Sequence, residues 1–446
     1  MSKTQNMTED NVTRIILGFF FPMLFSNALQ QIYSVADTAI IGNGIGDNAL
    51  AAVGNAATIS LFIIGFLQGL TNGFSVVIAQ DYGAQDYKKL RSSVTLSIKL
   101  CVIFSIILTA VSLIFLRKIF ILMRTDALIL DDSLIYGYIV FSGLIATTAY
   151  NMCSGILRAL GDSKTPFMAI VVSSAVNILL DLIFIFVFRT GVGGAAIATV
   201  FSQMISVFIC VIRLRKIEFI NLHKNDFYTD TETYIKLLKN GLPMAFMNSI
   251  TAVGCIIVQS FVNDLGADST SAYSVCTRYL NLFMLPSVTV GFTISAFTGQ
   301  NYGAKKYNRI KAGVKTGLII AVVSYILLGA LMLIFPDALA QFMLNGDTAV
   351  SYTCSYLKIL GFSLIGLNFI FIFRSAVQGM GHPVTPMLSG FAEMILRIGA
   401  IIILLPKINF IATAYADIIA WIGALSLNMI AYFVLMKNKN NSTNDT

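Results

Sequence analysis

Asp181 is the one acid in the apolar run from Pro166 to Phe188, PFMAIVVSSAVNILLDLIFIFVF, which contains no basic residue. An ionised carboxylate in hydrocarbon costs at least ~2.5 kcal/mol, so its presence there calls for a compensating role. Asn177 lies four residues earlier and shares a helix face with it. Asp37 stands near the end of another apolar run, and Thr199 a few residues into a third. At 1.5 Å per helical residue, Asp37, Asp181 and Thr199 all fall roughly 8–12 Å below the same surface; Asn177 is one turn deeper. Two carboxylates brought close resist joint ionisation, so such a pair can carry a proton near neutral pH. The same carboxylate, amide and hydroxyl oxygens are hard ligands that can take Na⁺. The residues leave both chemistries open. In a plainer arrangement Asp37 only hydrogen-bonds near the interface and Thr199 bonds its own helix backbone.

Other polar residues in apolar runs call for the same question. Glu393 and Arg397 have the i, i+4 spacing of an ion pair on one helix face, either structural or gating. Asn27, Gln30, Gln31 and Tyr33 make one run too polar to face lipid and, with Gln259, are candidates to line a substrate cavity. Asp417 falls early in its run, near the outer surface, where solvation is expected; Arg278 either snorkels outward or lines the cavity, and a structural role is expected. Gly65, Gly69 and Gly73 form a small-residue ridge suited to close helix packing. Six scattered cysteines and two loop histidines, His223 and His382, form no metal or disulfide pattern. No metal is expected beyond Na⁺ at Asp37, Asn177, Asp181 and Thr199. G-x-S-x-G, H-E-x-x-H and G-x-x-x-x-G-K-[ST] are all absent, which argues against an intramembrane enzyme and an ATP-driven pump. No cofactor is expected.

The elements that must position these groups are membrane helices. Of 446 residues 57% are hydrophobic and only 12% charged, and the mean hydropathy is +0.80. No soluble core absorbs so many long apolar runs, so the expectation is an all-α polytopic membrane protein. The net charge of +8 reflects basic loops rather than a nucleic-acid partner. The apolar run from Ile15 is too long for a signal-peptide core, so no cleavage is expected. Twelve spans are expected, at about 15–41, 49–78, 93–116, 133–157, 166–188, 193–212, 240–262, 270–298, 314–335, 353–373, 386–405 and 410–436. Lys3, Lys88, Lys89, Arg91, Lys305, Lys306, Arg309 and Arg374 fall at one end of the spans, against Arg117, Lys118, Arg124, Arg189 and Lys407 at the other. By the positive-inside rule both termini are then cytoplasmic.

The halves repeat. Gln80-Asp81-Tyr82-Gly83-Ala84 recurs 220 residues on as Gln300-Asn301-Tyr302-Gly303-Ala304, and Gly161 and Pro166 recur as Gly381 and Pro386; Pro22 and Pro243 are 221 apart. The expected organisation is a six-helix lobe at 1–212, a cytoplasmic linker at 213–239 and a second six-helix lobe with a polar tail at 240–446. The two bundles are expected to be related by a pseudo-twofold along the membrane normal.

DTAIIGNGIGDNALAAVG (37–54), the paired Q-x-Y-G-A segments, LRALGDSKTP (157–166) and GVGGAAIAT (191–199) resemble the multidrug and toxic compound extrusion (MATE) family over nearly the whole chain. The resemblance implies a multidrug efflux antiporter of the plasma membrane, working by alternating access and driven by H⁺ or Na⁺. Its substrates would be small organic, cationic, amphiphilic compounds; it would work as a monomer in contact with membrane lipid. In the family's DinF-like branch an Asp in span one, N-x-x-x-D in span five and a Thr in span six fall on Asp37, Asn177, Asp181 and Thr199. The NorM-like branch uses acids in spans seven and ten, which this sequence lacks. The alternative is a lipid-linked oligosaccharide flippase of the same superfamily; against it, Arg278 and Arg397 are the only arginines expected within the membrane.

Overall fold

The computed structural model describes residues 6–220 and 231–444. Lys3, His223 and residues 221–230 of the expected linker lie outside the described residues. The helices are, in order, α1 (Val12–Gly44), α2 (Asp47–Gly83), α3 (Tyr87–Leu122), α4 (Ala127–Ser142), α5 (Leu144–Ala159), α6 (Lys164–Leu182), α7 (Gly191–Arg215), α8 (Thr231–Asn263), α9 (Ala267–Phe283), α10 (Leu285–Gly303), α11 (Tyr307–Ile334), α12 (Pro336–Met343), α13 (Asp347–Gly379), α14 (Val384–Ile408) and α15 (Ala412–Asn444). Among the described residues nine helical stretches are long and apolar enough to cross a membrane, or eleven when the bent pairs α4–α5 and α9–α10 each count as one. The stretch Val384–Lys439 holds both α14 and α15, parted by a 3-10 turn at Asn409–Ile411, so the spans number twelve. They stand where the apolar runs predict, each extended by some residues. Exposed side chains such as Ile103, Ile106 and Ile114 on α3 and Ile319, Val323 and Ile326 on α11 give these helices the apolar outer surface that lipid requires.

The chain divides into two compact units. Phe21–Ala245 falls in the first; Met7–Phe20 joins Phe246–Thr446 in the second. This division differs from the expected lobes in two places. The start of α1 belongs with the second unit, and the start of α8 with the first. In both helices the change of unit falls within a few residues of a proline, Pro22 or Pro243.

The repeated Q-x-Y-G-A segment receives these helix starts. In the second unit the Met7 N–H donates to Gln300 Oε1 at 2.8 Å, and Asn301 Nδ2 donates to the Met7 carbonyl at 3.2 Å. Lys306 Nζ reaches the Thr8 carbonyl at 2.9 Å, and Arg309 the carbonyls of Glu9 and Asp10 at 2.6 and 3.0 Å. Lys306 and Arg309 thus bind the segment before α1, beyond their expected part in topology. In the first unit Asp81, the counterpart of Asn301, accepts from Ser93 at 2.6 Å and from Lys236 of α8 at 3.1 Å. The loops repeat in conformation too. Gln85 and Lys305 have φ 58° and 59°, and Gly161 and Gly381 have φ 85° and 81°; the glycines accept this left-handed backbone without strain.

The glycine ridge of α2 packs on α8 within the first unit. A Cβ on Gly73 would lie 2.5 Å from Asn240 O and from Gly241 Cα, and one on Gly69 would meet the backbone of Met244 and Ala245. A Cβ on Gly65 meets nothing within 4 Å. Backbone cannot yield as a flexible side chain can, so Gly73→Ala should lower the melting temperature of the purified protein by several degrees, whereas Gly65→Ala should leave it unchanged or raised. Equal melting of the two variants would contradict this packing.

Candidate functional site

Three elements of the first unit bring the sequence-predicted residues together. Asp181 ends the regular part of α6 and is fully buried, and Asn177, one turn earlier, is 1% exposed. Immediately after Asp181 the helix widens into a π turn at Ile183–Val187, a feature that often accompanies functional residues. Two glycines press on that turn. A Cβ on Gly44, at the end of α1, would meet Ile185 at 2.5 Å, and one on Gly194, in α7, would meet Phe184 at 2.8 Å. The motif glycines therefore seat the ends of α1 and α7 against the helix that carries Asp181.

Asp37, half-buried on α1, lies within hydrogen-bonding reach of Asp181. Two carboxylates are both acceptors, so they satisfy each other only with a proton or a cation between them. Accordingly both Asp181 oxygens, Asp37 Oδ1 and both polar atoms of Asn177 are buried without a hydrogen-bond partner. Buried polar atoms are rarely left this way. Five unmatched atoms, four of them acceptors, give this cluster the chemistry to receive a positively charged guest. Among the described residues no group of three or more His, Cys, Asp or Glu side chains is arranged to hold a metal ion; with two acids, the site suits a single positive charge.

Thr199 donates to its own helix, to the Ala195 carbonyl at 3.0 Å. The Tyr33 and Tyr136 hydroxyls lie near it and near the two acids. Tyr33 thus belongs to this cluster, and Tyr136, from α4, was not anticipated. Its signal in the sequence was weak, an aromatic residue in an apolar run. Tyr136→Phe deletes only the hydroxyl. It should weaken guest binding by a few-fold, in line with the ~1 kcal/mol of one hydrogen bond, as read from the ion concentration that half-activates transport; an unchanged half-activation would remove Tyr136 from the site.

The other candidates are placed differently. On α1, Gln30 and Gln31 are exposed and Asn27 is half-buried. Gln259, in the second unit, donates to Asn263 Oδ1 at 2.8 Å. Arg278 is exposed on α9. Glu393 and Arg397 form the expected pair at 3.0 Å, but as part of a longer buried chain in the second unit. Arg374 binds the other Glu393 oxygen at 3.1 Å, Arg397 Nε donates to Asp417 Oδ1 at 2.8 Å, and the Tyr356 hydroxyl donates to Asp417 Oδ2 at 2.7 Å. One expectation is corrected here. Asp417 is 5% exposed rather than solvated, because α15 packs along α14 through buried Ala412, Ala414 and Ala416 and so turns Asp417 onto Arg397. Arg374, near the end of α13, is packed inside the unit, 9% exposed, because the helix continues to Gly379.

Comparison with known proteins agrees with this architecture. The sequence model of the MatE family matches twice, at residues 22–183 and 243–403, at the spacing of the internal repeat. The chain is 30% identical over 339 residues to the probable multidrug resistance protein YoeA of Bacillus subtilis, covering 74% of this chain and 73% of that one. It is 23% identical to the probable multidrug resistance protein NorM of Thermotoga maritima, over 86% of this chain and 83% of that one. Among solved structures, an outward-facing multidrug resistance MATE transporter superposes with a TM-score of 0.91 at 21% identity, over 99% of both chains. A MATE structure in a bent conformation gives the same score, identity and coverage. Twelve membrane spans in two units, the doubled match and the YoeA relationship together place the chain in the MATE family of multidrug efflux transporters, multi-pass membrane proteins that move small molecules and are not enzymes.

Proposed function

We propose that this transporter is a secondary antiporter in which a proton or Na⁺ binds at Asp37, Asn177 and Asp181 and drives export of organic, cationic, amphiphilic compounds by alternating access. The observation that carries the proposal is Asp181, fully buried with neither oxygen matched. Such a carboxylate cannot remain bare in a membrane protein. It is neutralised by a proton shared with Asp37 or by a cation held with the Asn177 carbonyl oxygen. Thr199 serves as a scaffold that orients Tyr33 and Tyr136, since its own proton is committed to Ala195. The relatives named as multidrug resistance proteins support the substrate class. The basic residues gathered at one end of the spans support an orientation with both termini in the cytoplasm of the plasma membrane.

A ligand moves a conformational equilibrium only by its difference in affinity for the two states. Guest binding between Asp37 and Asp181 therefore has to differ between the inward-open and outward-open forms, and the proximity of the π turn to both acids gives the site a backbone that can change. The test is efflux of a fluorescent organic cation from proteoliposomes under an imposed pH gradient or an imposed Na⁺ gradient. Efflux that follows one gradient identifies the ion. Efflux indifferent to both, in folded protein, overturns the proposal.

A further inference from the structure

The buried chain of the second unit occupies the place that the cation site occupies in the first. Asn177 and Arg397 are 220 residues apart, as are Tyr136 and Tyr356. Asn409 (φ 48°) pairs with Arg189 (φ 51°) at the usual 220, but beyond it the burial pattern of α15 matches that of α7 at a spacing of 218, a connection two residues shorter. From there Gly194, Ala195, Ala196 and Ala198 match Ala412, Thr413, Ala414 and Ala416. All eight are buried, and Ile197 and Tyr415 between them are both exposed. Thr199 then corresponds to Asp417. The neighbourhoods follow the alignment: Tyr136 lies near Thr199, and the Tyr356 hydroxyl binds Asp417.

Within this shared frame the chemistry is exchanged. Asp37 and Asp181 correspond to Val258 and Ile401, which are 1% and 0% exposed and purely apolar. Acid is supplied instead by Asp417 and Glu393, and between them stands the Arg397 guanidinium, at 2.8 and 3.0 Å. All four oxygens of Glu393 and Asp417 have donors. In the first unit the carboxylate oxygens of Asp181 have none.

We infer that Arg397 is a tethered cation. The second unit keeps a latent monovalent-cation site whose guest has been replaced by the chain's own guanidinium, so only the first unit exchanges an ion with solution. An arginine is charged at every physiological pH and cannot leave, so the second unit holds its site in the loaded condition throughout the cycle. The comparison rests on the first unit's site being a cation site, and the test is arranged to keep the two apart.

The test is thermal unfolding of the purified full chain carrying Asp181→Asn, which removes the first unit's contribution, with and without Arg397→Ala. Each protein is melted in choline chloride and in the same buffer with low-millimolar guanidinium chloride or with NaCl. Without Arg397→Ala the melting temperature should be the same in all three. With it, melting should fall by several degrees in choline and recover at least half the loss with guanidinium, and the recovery should vanish when Asp417→Asn is added. A loss that no cation restores beyond choline overturns the inference and makes Arg397 a packing element. Should Arg397→Ala not fold, Arg397→Lys and Arg397→Gln are compared. Cation dependence in Gln but not in Lys supports the inference; identical behaviour of the two overturns it. A wild-type chain whose melting ignores every cation would count against the first unit's site alone.

Discussion

Asp181→Asn should reduce gradient-driven efflux to the level of protein-free vesicles while leaving the protein folded. Asparagine keeps the shape of the side chain and supplies its own donors to a site rich in acceptors, so the fold has no reason to fail. What disappears is the charge that makes guest binding depend on the state of the transporter, and a ligand without differential affinity shifts no equilibrium. Asp37 is half-buried beside Asp181 and in the proposed site shares its guest, so Asp37→Asn should impair coupling as well. Because both acids act on one guest, the double variant should be no worse than Asp181→Asn alone, the non-additivity of residues that act as a unit. The measurement is initial efflux rate per folded transporter under whichever gradient drives the wild type. Wild-type rates with Asp181→Asn would dismiss the site.

The second large effect is on stability. Glu393→Ala should destabilise the protein by ~3–5 kcal/mol, the usual consequence of removing one partner from a buried ion pair. Glu393 sits between two buried guanidiniums, Arg374 and Arg397, and binds each through a different oxygen. Its loss strands a positive charge on a side chain whose Nε already lacks a partner at Arg374, while Arg397 retains only Asp417. Asp417→Asn should cost less, since the amide oxygen still accepts from Arg397 or from Tyr356. Melting of the detergent-purified protein reads both. A Glu393→Ala protein that melts with the wild type would show that water reaches this chain and solvates it.

The sequence was most legible where cost or periodicity forced the answer. A lone acid in an apolar run, with an amide four residues before it, marked Asp181 and Asn177 because a helix offers only one geometry at that spacing. The twelve spans followed from length and composition. The repeat followed from a constant spacing, and the left-handed Gln85 and Lys305 show that it extends to the backbone. Tyr136 was missed because its hydroxyl has meaning only once α4 is set against α7. The π turn after Asp181 leaves no sign in the composition of Ile183–Val187, which reads as ordinary helix. Asp417 was misjudged because depth was counted along one helix, whereas burial there is set by the alanine-lined contact with its neighbour. The helix starts in the opposite unit were equally hidden, since polar residues before a first span look alike whether solvated or bound.

That last arrangement imposes an order on synthesis. Met7 leaves the ribosome among the first residues, yet the Gln300 side chain that receives its N–H comes 293 residues later. At ~5–20 residues per second, this is a delay of roughly 15–60 s. During that interval the segment before α1, with Met7 and Thr8 destined for burial, has no seat. The start of α8 meets no such wait, because Asp81 and the glycines of α2 precede it in the chain. The first unit can therefore close while translation continues, whereas the segment before α1 is fastened only once Gln300 and its neighbours have been made.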